Sequence, residues 1–195
     1  MDGMQWMTSA MHAARAQLET ATQNLANVSS DGFRRATSHL ALSSGGVRAF
    51  ETRGFEQGAI RHTGRTLDLA ILGPGTFEVG GKPTRSGAFL ADRDGYLVDD
   101  RGSRVRGLSG AIRITATTTI GTDGAIREGG RVVNAIALPA RSTLQTGVLE
   151  TSNVNAIGET LAILNAQRAF ETAQKTLVAI DDTRQKAMND VVRLK

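Results

Sequence analysis

The chain has 195 residues, among them 22 Gly but only six Phe, one Tyr and one Trp. This length permits one core with extended appendages, and the scarcity of aromatic residues argues against a large aromatic core. The 23 Lys and Arg residues outnumber the 19 Asp and Glu residues, but the charges are scattered and give only weak support to nucleic-acid binding. The absence of cysteine excludes disulfide and thiolate chemistry. No apolar run approaches the roughly 18 residues that a membrane span requires.

The N-terminal region has an unbroken helical period. Apolar residues recur there at alternating spacings of three and four residues, which predicts an amphipathic helix with one apolar seam. The seam consists of Met4, Met7, Met11, Ala14, Leu18, Ala21, Leu25 and Val28. Gly32, which follows the polar run 29–31, provides the stop chemistry of a helix end. The sequence therefore predicts a helix within residues 1–33 whose seam needs a partner.

The middle of the chain has a different pattern. Residues 34–64 are weakly patterned, which indicates a connector or extended loop with room for one hairpin. Residues 65–148 alternate short β-like runs such as "TLDLAIL", "TFEV" and "VVNAIAL" with turn signals such as "GPG", "DRDG" and "GTDG". Turn signals at such short intervals predict a small all-β module built of hairpins.

The C-terminal region, residues 149–195, predicts a second and longer helix with two apolar stripes. Val154, Ile157, Leu161 and Leu164 form the first stripe. The second, interrupted by Arg184, runs through Ile163, Ala166, Phe170, Ala173, Leu177, Ile180, Ala187, Val191 and Leu194. A stripe that moves around the helix indicates contact with more than one neighbour. Ser152, Asn153 and Asn155 are candidate N-caps.

These elements predict an α+β fold. Long N- and C-terminal helices would pair as a coiled-coil-like core, with the all-β module inserted between them. The longer helix has more apolar surface than the shorter one can cover, and uncovered apolar surface predicts self-assembly.

Three blocks of the sequence resemble the bacterial flagellar axial proteins, and among them the basal-body rod proteins, proximal or distal. "NLANVSSDGFRR" (24–35) is similar to the N-terminal signature of the family, and "LETSNVNAIGETLAILNAQRAFETAQKTL" (149–177) is similar to its C-terminal signature. "GAIRHTGRTLDLAILGPGTFEV" (58–79) resembles the middle run of the rod and hook proteins.

The resemblance implies a structural subunit of the flagellar basal-body rod, without enzymatic activity, catalytic residues, cofactor or metal. Such subunits leave the cell through the flagellar type III export apparatus without a cleavable signal peptide. They assemble through their terminal helices into a hollow helical tube that transmits torque. The expected partners are further copies of the chain and other rod and hook axial proteins, with no nucleic acid and no membrane insertion. The expected location is the basal body, in the cell-envelope or periplasmic region.

The apolar stripes and the signature blocks together predict where subunits meet. The expected assembly-interface residues are Met7, Met11, Leu18, Asn24, Leu25, Asn27, Val28, Gly32, Phe33, Ser152, Asn153, Val154, Ile157, Leu161, Gln167, Arg168, Phe170, Glu171, Leu177 and Ile180.

Several of these residues have two interpretations. Asn24 and Asn27 could cap the end of the helix, or their amides could bond the backbone of a neighbouring subunit. Arg168 and Glu171 could form a solvated surface pair, or a buried or intersubunit ion pair; the resemblance favours the second interpretation.

Other functions find little support in the sequence. The Gly-x-Gly of "LGPGTF" has no third glycine or following helix, as a dinucleotide site requires. The aspartates of "DRDGYLVDD" are typical of turns, since no Glu stands at the twelfth position of a calcium loop. The alternatives that remain are a basic coiled-coil nucleic-acid-associated protein and, more remotely, a metal-dependent hydrolase that uses the Asp-rich hairpin.

Overall fold

The structure is a computed structural model that describes residues 3–43 and 46–193, with side chains up to residue 189. Positions 1, 2, 194 and 195 of the predicted terminal segments and positions 44 and 45 of the predicted connector therefore lie outside the described residues.

The described chain begins and ends with a helix, and short strands lie between. The helices are α1 (Gly3–Ala26) and α2 (Ala156–Arg193). The strands are β1 (Ala36–Ser43), β2 (Gly46–Arg53), β3 (Ile60–His62), β4 (Leu69–Leu72), β5 (Phe77–Val79), β6 (Lys82–Thr84), β7 (Leu90–Ala91), β8 (Leu97–Val98), β9 (Val105–Gly107), β10 (Gly110–Ala111), β11 (Thr118–Ile120), β12 (Ala125–Glu128), β13 (Arg131–Ala135), β14 (Thr143–Thr146) and β15 (Val148–Glu150). The predicted α+β class, with terminal helices around a region of small sheets, is confirmed.

The chain forms two compact units. Unit 1 comprises residues 1–26, 35–54 and 154–195, and unit 2 comprises residues 27–34 and 55–153. The four-segment division drawn from the sequence stays a prediction.

Unit 1 consists of the two helices and the antiparallel hairpin β1–β2. Gly3 lies beside the side chain of Ile180, and Asn24 bonds Glu159, so the helices run antiparallel. The predicted apolar seam of α1 is the side of the helix that packs. Ala14 and Ala21 are buried, and the other seam residues are partly buried.

Helix α2 begins later than the predicted segment. Residues 149 and 150 belong to strand β15, and the helix starts at Ala156 because Asn155 caps it. The side-chain Oδ1 of Asn155 accepts hydrogen bonds from the N–H groups of Ile157 (3.0 Å) and Gly158 (3.2 Å). These are the donors that lack an intrahelical partner in the first turn. Asn155, one of the three candidate caps, therefore caps the helix.

Unit 2 is built of small antiparallel sheets. Four strands pair in the order β10-β9-β5-β6 and three in the order β11-β12-β13, while β14 pairs with β4 and β15 with β3. Its core is a single apolar cluster that includes Leu69, Ile71, Phe77, Phe89, Leu97, Ile112, Ile126 and Leu144. The rings of Phe77 and Phe89 meet edge to face with centroids 5.1 Å apart.

The predicted connector contains more structure than the sequence indicated. Residues 36–43 and 46–53 form the two strands of the hairpin, and residues 60–62 form strand β3, which pairs with β15. The weak alternation of these residues follows from exposure, because most of the hairpin side chains beyond its first residues are exposed and leave no buried face to pattern.

Candidate assembly surface

A buried polar cluster holds the elements of unit 1 together. Asn24, at the C-terminal end of α1, is fully buried. Its Nδ2 donates to the carbonyl oxygen of Ala36 (2.7 Å) and to Oε2 of Glu159 (3.1 Å). Its Oδ1 accepts from the N–H of Ala36 (2.9 Å). One side chain therefore joins α1, β1 and α2.

The interpretation of Asn24 as a bond to a neighbouring subunit is corrected by this geometry. Both ends of its amide are used inside the chain, and no surface of the side chain is left for another molecule. Asn27 has a partner within the chain, since Oδ1 of Asn27 accepts from the hydroxyl of Ser30 (3.1 Å).

Glu159 completes the buried cluster from α2. It is fully buried in the first turn of the helix, where a carboxylate is favoured by the helix dipole. Arg35 donates from Nε to its Oε1, and from Nη1 to the hydroxyl of Thr37 (3.1 Å). Sequence reasoning did not select Glu159 or Arg35 as site residues. The place of Glu159 in the first turn of a predicted helix could have marked it as a candidate. Nothing in the sequence points from Glu159 to Arg35, which lies 124 positions away.

Helix α2 has two apolar faces that point in opposite directions. The inner face contains the buried Ala166 and Ala173, with Phe170, Leu177 and Ile180 partly buried. Ile157, Leu161 and Leu164 are 75%, 56% and 44% exposed. From Ile157 to Ala166 the helix makes about two and a half turns, which places the two sets on opposite sides.

The three exposed residues begin a longer row of exposed side chains along α2, which we call the outward stripe. Its members follow one another at spacings of three and four residues: Ile157, Leu161, Leu164, Arg168, Glu171, Lys175 and Val178. Its first part is apolar and its second part is mainly charged. Val178 is again an exposed apolar residue.

Gln167, Arg168 and Glu171 all have exposed side chains. Arg168 and Glu171 form no ion pair with each other in the part of the chain that the structure describes. The buried version of that pair is therefore not found, and its intersubunit version stays a prediction.

The remaining predicted residues have partly buried side chains. In unit 1 these are Met7, Met11, Leu18, Leu25 and Val154, and in unit 2 they are Val28, Phe33, Ser152 and Asn153. The N–H of Asn153 donates to the carbonyl oxygen of Phe33 (3.4 Å). Their role in assembly stays a prediction.

The loop 27–34 of unit 2 is fixed at Gly32. This residue has a positive φ of 69°, and its N–H donates to the carbonyl oxygen of Glu150 (2.7 Å). A Cβ atom at this position would lie 2.3 Å from the backbone of Arg85 and Ser86. The predicted stop at Gly32 is therefore also a point of close backbone approach, which only glycine allows.

Arg85 and Glu150 form a fully buried ion pair beside this loop. The Nε and Nη2 of Arg85 lie 2.9 and 2.7 Å from Oε2 of Glu150. The remaining guanidinium donors bond the carbonyl oxygens of Ile71, Gly73 and Gly75 at 2.8–2.9 Å. The carboxylate and the carbonyl oxygens together compensate the cost of removing the Arg85 charge from water. Glu150 belongs to a signature block, whereas no sequence pattern singled out Arg85.

The described residues contain no group of three or more His, Cys, Asp or Glu side chains that could hold a metal ion. No helix among them combines the length and apolar character that a membrane crossing requires. Helix α2 therefore has one apolar face that is covered within unit 1 and one that is exposed and available for packing.

Comparison with known proteins agrees with the signature blocks. The family model described as "Flagella basal body rod protein" matches residues 4–34, and the model described as "Flagellar basal body rod FlgEFG protein C-terminal" matches residues 145–190. The flagellar basal-body rod protein FlgF of Caulobacter vibrioides is 28% identical over an alignment that covers 92% of each chain. The chain belongs to the flagellar basal-body rod protein family.

Other relatives of this rod protein extend the comparison. The rod protein FlgG of Bacillus subtilis is 27% identical over 93% of this chain and 96% of its own. The flagellar hook protein FlgE of Brucella abortus is 34% identical over 69% of this chain but only 37% of its own, so the rod protein spans little more than a third of that hook protein. The prediction of a structural rod subunit is confirmed, and the nucleic-acid alternative finds no support.

Proposed function

We propose that this rod protein assembles through its terminal helices into the hollow helical tube of the flagellar rod, and that the outward stripe of α2 forms the contact between copies. The partners are further copies of the chain and other axial proteins of the rod and hook. The tube transmits torque because its subunits are joined by close-packed side chains rather than by flexible tethers. The protein has no catalytic role in this proposal.

The observation that carries the proposal is the division of α2 into two faces. The inner face is covered within unit 1, so the coiled-coil-like pairing of the terminal helices would be the fixed part of the subunit. Ile157, Leu161 and Leu164 stay exposed on the other face. Burying one such half-exposed side chain contributes about 1–2 kcal/mol, so several together favour association.

The location follows from membership of the family. Rod proteins belong to the basal body of the flagellum, and we infer that this chain reaches it through the type III export apparatus without a cleavable signal peptide. Each subunit would meet the next in a head-to-tail arrangement, the geometry that produces an open helical filament.

Replacement of Leu161 by Asp tests the proposal in a strain of the source bacterium that lacks its own copy. We expect Leu161→Asp to abolish swimming and to remove the protein from isolated basal bodies, because a carboxylate cannot be buried between copies without a partner. Since Leu161 is exposed in the single chain, the purified variant should unfold at the same temperature as the parent.

Leu108→Asp is the matched control, because Leu108 is 71% exposed on unit 2 and is not part of the stripe. The Leu108→Asp variant should support normal swimming.

Like Leu161→Asp, the variants Leu25→Asp and Phe170→Asp should abolish motility. Both residues are partly buried within the chain, so Leu161→Asp is the sharper test. Normal swimming with Leu161→Asp would reject the outward stripe as the contact.

A further inference from the structure

The Nε of Arg34 is a donor that the described part of the chain leaves without an acceptor. This nitrogen is buried. No ion pair to Arg34 occurs in that part of the chain either. A buried donor without an acceptor costs about 1–3 kcal/mol, so this side chain requires an explanation.

The surroundings of Arg34 make the lack of an acceptor more costly. Burial and the neighbouring Arg85 cation lower the pKa of Arg34, and the Glu150 carboxylate offsets this only in part. Glu150 is already occupied by Arg85, Gln57 and the N–H of Gly58. The Glu150 carboxylate therefore acts on two cations, and its hydrogen bonds go to groups other than Arg34.

The outward stripe of α2 carries the complementary group. Glu171 is exposed and makes no ion pair or hydrogen bond with its side chain in the described part of the chain. Glu171 lies seven positions after Leu164, the last of the three apolar residues, which is about 10 Å further along the helix. A helix docked by those apolar residues would present the Glu171 carboxylate beside its apolar contact.

We propose that Arg34 of one copy binds the carboxylate of Glu171 from a second copy, so that this ion pair fixes the register of neighbouring subunits. The inference rests on the proposed self-assembly and names one polar contact within it. An Arg–carboxylate pair suits this role, because the planar guanidinium donates two parallel N–H hydrogen bonds to the two carboxylate oxygens in a defined geometry.

Charge exchange between the two positions tests the pair in the strain that lacks its own copy. Arg34→Glu and Glu171→Arg, each alone, should reduce rod-containing basal bodies at least about tenfold, the change expected for each 1.4 kcal/mol of lost contact. The double variant Arg34→Glu with Glu171→Arg should restore assembly. Arg34→Glu with Asp181→Arg should not, because Asp181 is exposed on another side of the helix.

Stability measurements separate this role from a structural one. Arg34→Gln removes a desolvated cation beside Arg85, so the purified variant should be at least as stable to urea as the parent, while its assembly should be impaired. A clear loss of stability would assign Arg34 to the fold of its own chain and overturn the proposal.

Cross-linking supplies a direct readout, because the chain has no cysteine of its own. Rods of the parent protein that incorporate the Arg34→Cys, Glu171→Cys variant should contain cross-linked copies after treatment with a short bismaleimide, and rods that incorporate Arg34→Cys, Asp181→Cys should not. Normal assembly of both single charge variants, or failure of the double variant, would overturn the ion pair. The proposed function would not be rejected by that result, because Leu161→Asp tests it separately.

Discussion

Gly32 shows how one residue can carry two requirements at once. It ends a polar turn in the left-handed region, and it lies against the backbone of Arg85 and Ser86. The first requirement could be predicted from the sequence, since a Gly after Ser-Ser-Asp is typical of a chain reversal. The second could not, because the neighbouring backbone lies more than fifty positions further along the chain.

Replacement of Gly32 by Ala separates these two effects. The positive φ alone should cost about 1–2 kcal/mol, and the clash with the Arg85 backbone should raise the loss above that value. Gly64→Ala is the matched control, because Gly64 has a φ of 73° and open space around its Cα. Urea unfolding of the two purified variants measures the difference, and equal losses would show that the close approach is unimportant.

The Arg85–Glu150 pair is a residue-scale feature that sequence reasoning missed. A lone Arg in "TRSGAF" has no periodic signal, and its partner stands 65 positions away. Only the folded chain shows that the two charges compensate each other in the interior.

Removal of Arg85 should therefore be strongly destabilising. Arg85→Met leaves the Glu150 carboxylate buried without its cation, and we expect a loss of about 3–5 kcal/mol in the free energy of unfolding. The exposed pair of Arg106 and Glu78 provides the control, since Arg106→Met should cost about 0–1 kcal/mol. Denaturant titration followed by circular dichroism checks both values. Losses of similar size would contradict the account.

At the scale of elements, the period of the sequence predicts the helices better than the strands. The seam of α1 and the two stripes of α2 correspond to observed faces, because a long amphipathic helix repeats its signal many times. Many strands of unit 2 have only two to four residues, and β6, β7 and β9 are too short to show alternation. Their pairing depends on turns and on a shared core, which no single stretch of sequence reveals.

The junction of α1, β1 and α2 depends on Asn24. Asn24→Ala should cost about 2–4 kcal/mol in the free energy of unfolding, because the Ala36 backbone and Glu159 both lose a buried partner. The amide of Ala36 should then exchange with solvent faster, since its N–H donates to Asn24 in the parent. Asn165→Ala, at an exposed position of α2, is the control and should change neither quantity. An unchanged exchange rate at Ala36 would contradict this role.

At the scale of the whole molecule, the sequence predicted a chain with more apolar helix surface than it can cover. The structure divides that surface, because the inner face of α2 is covered within unit 1 and Ile157, Leu161 and Leu164 are exposed. The sequence predicted contact of the longer helix with more than one neighbour. It could not assign each stripe to its neighbour, because that choice depends on how α1 lies on α2.

Electron cryomicroscopy of isolated basal bodies tests the central claim most directly. The account predicts that in the assembled rod the side chains of Ile157, Leu161 and Leu164 are buried against a neighbouring copy. A rod in which these three side chains face solvent would contradict it.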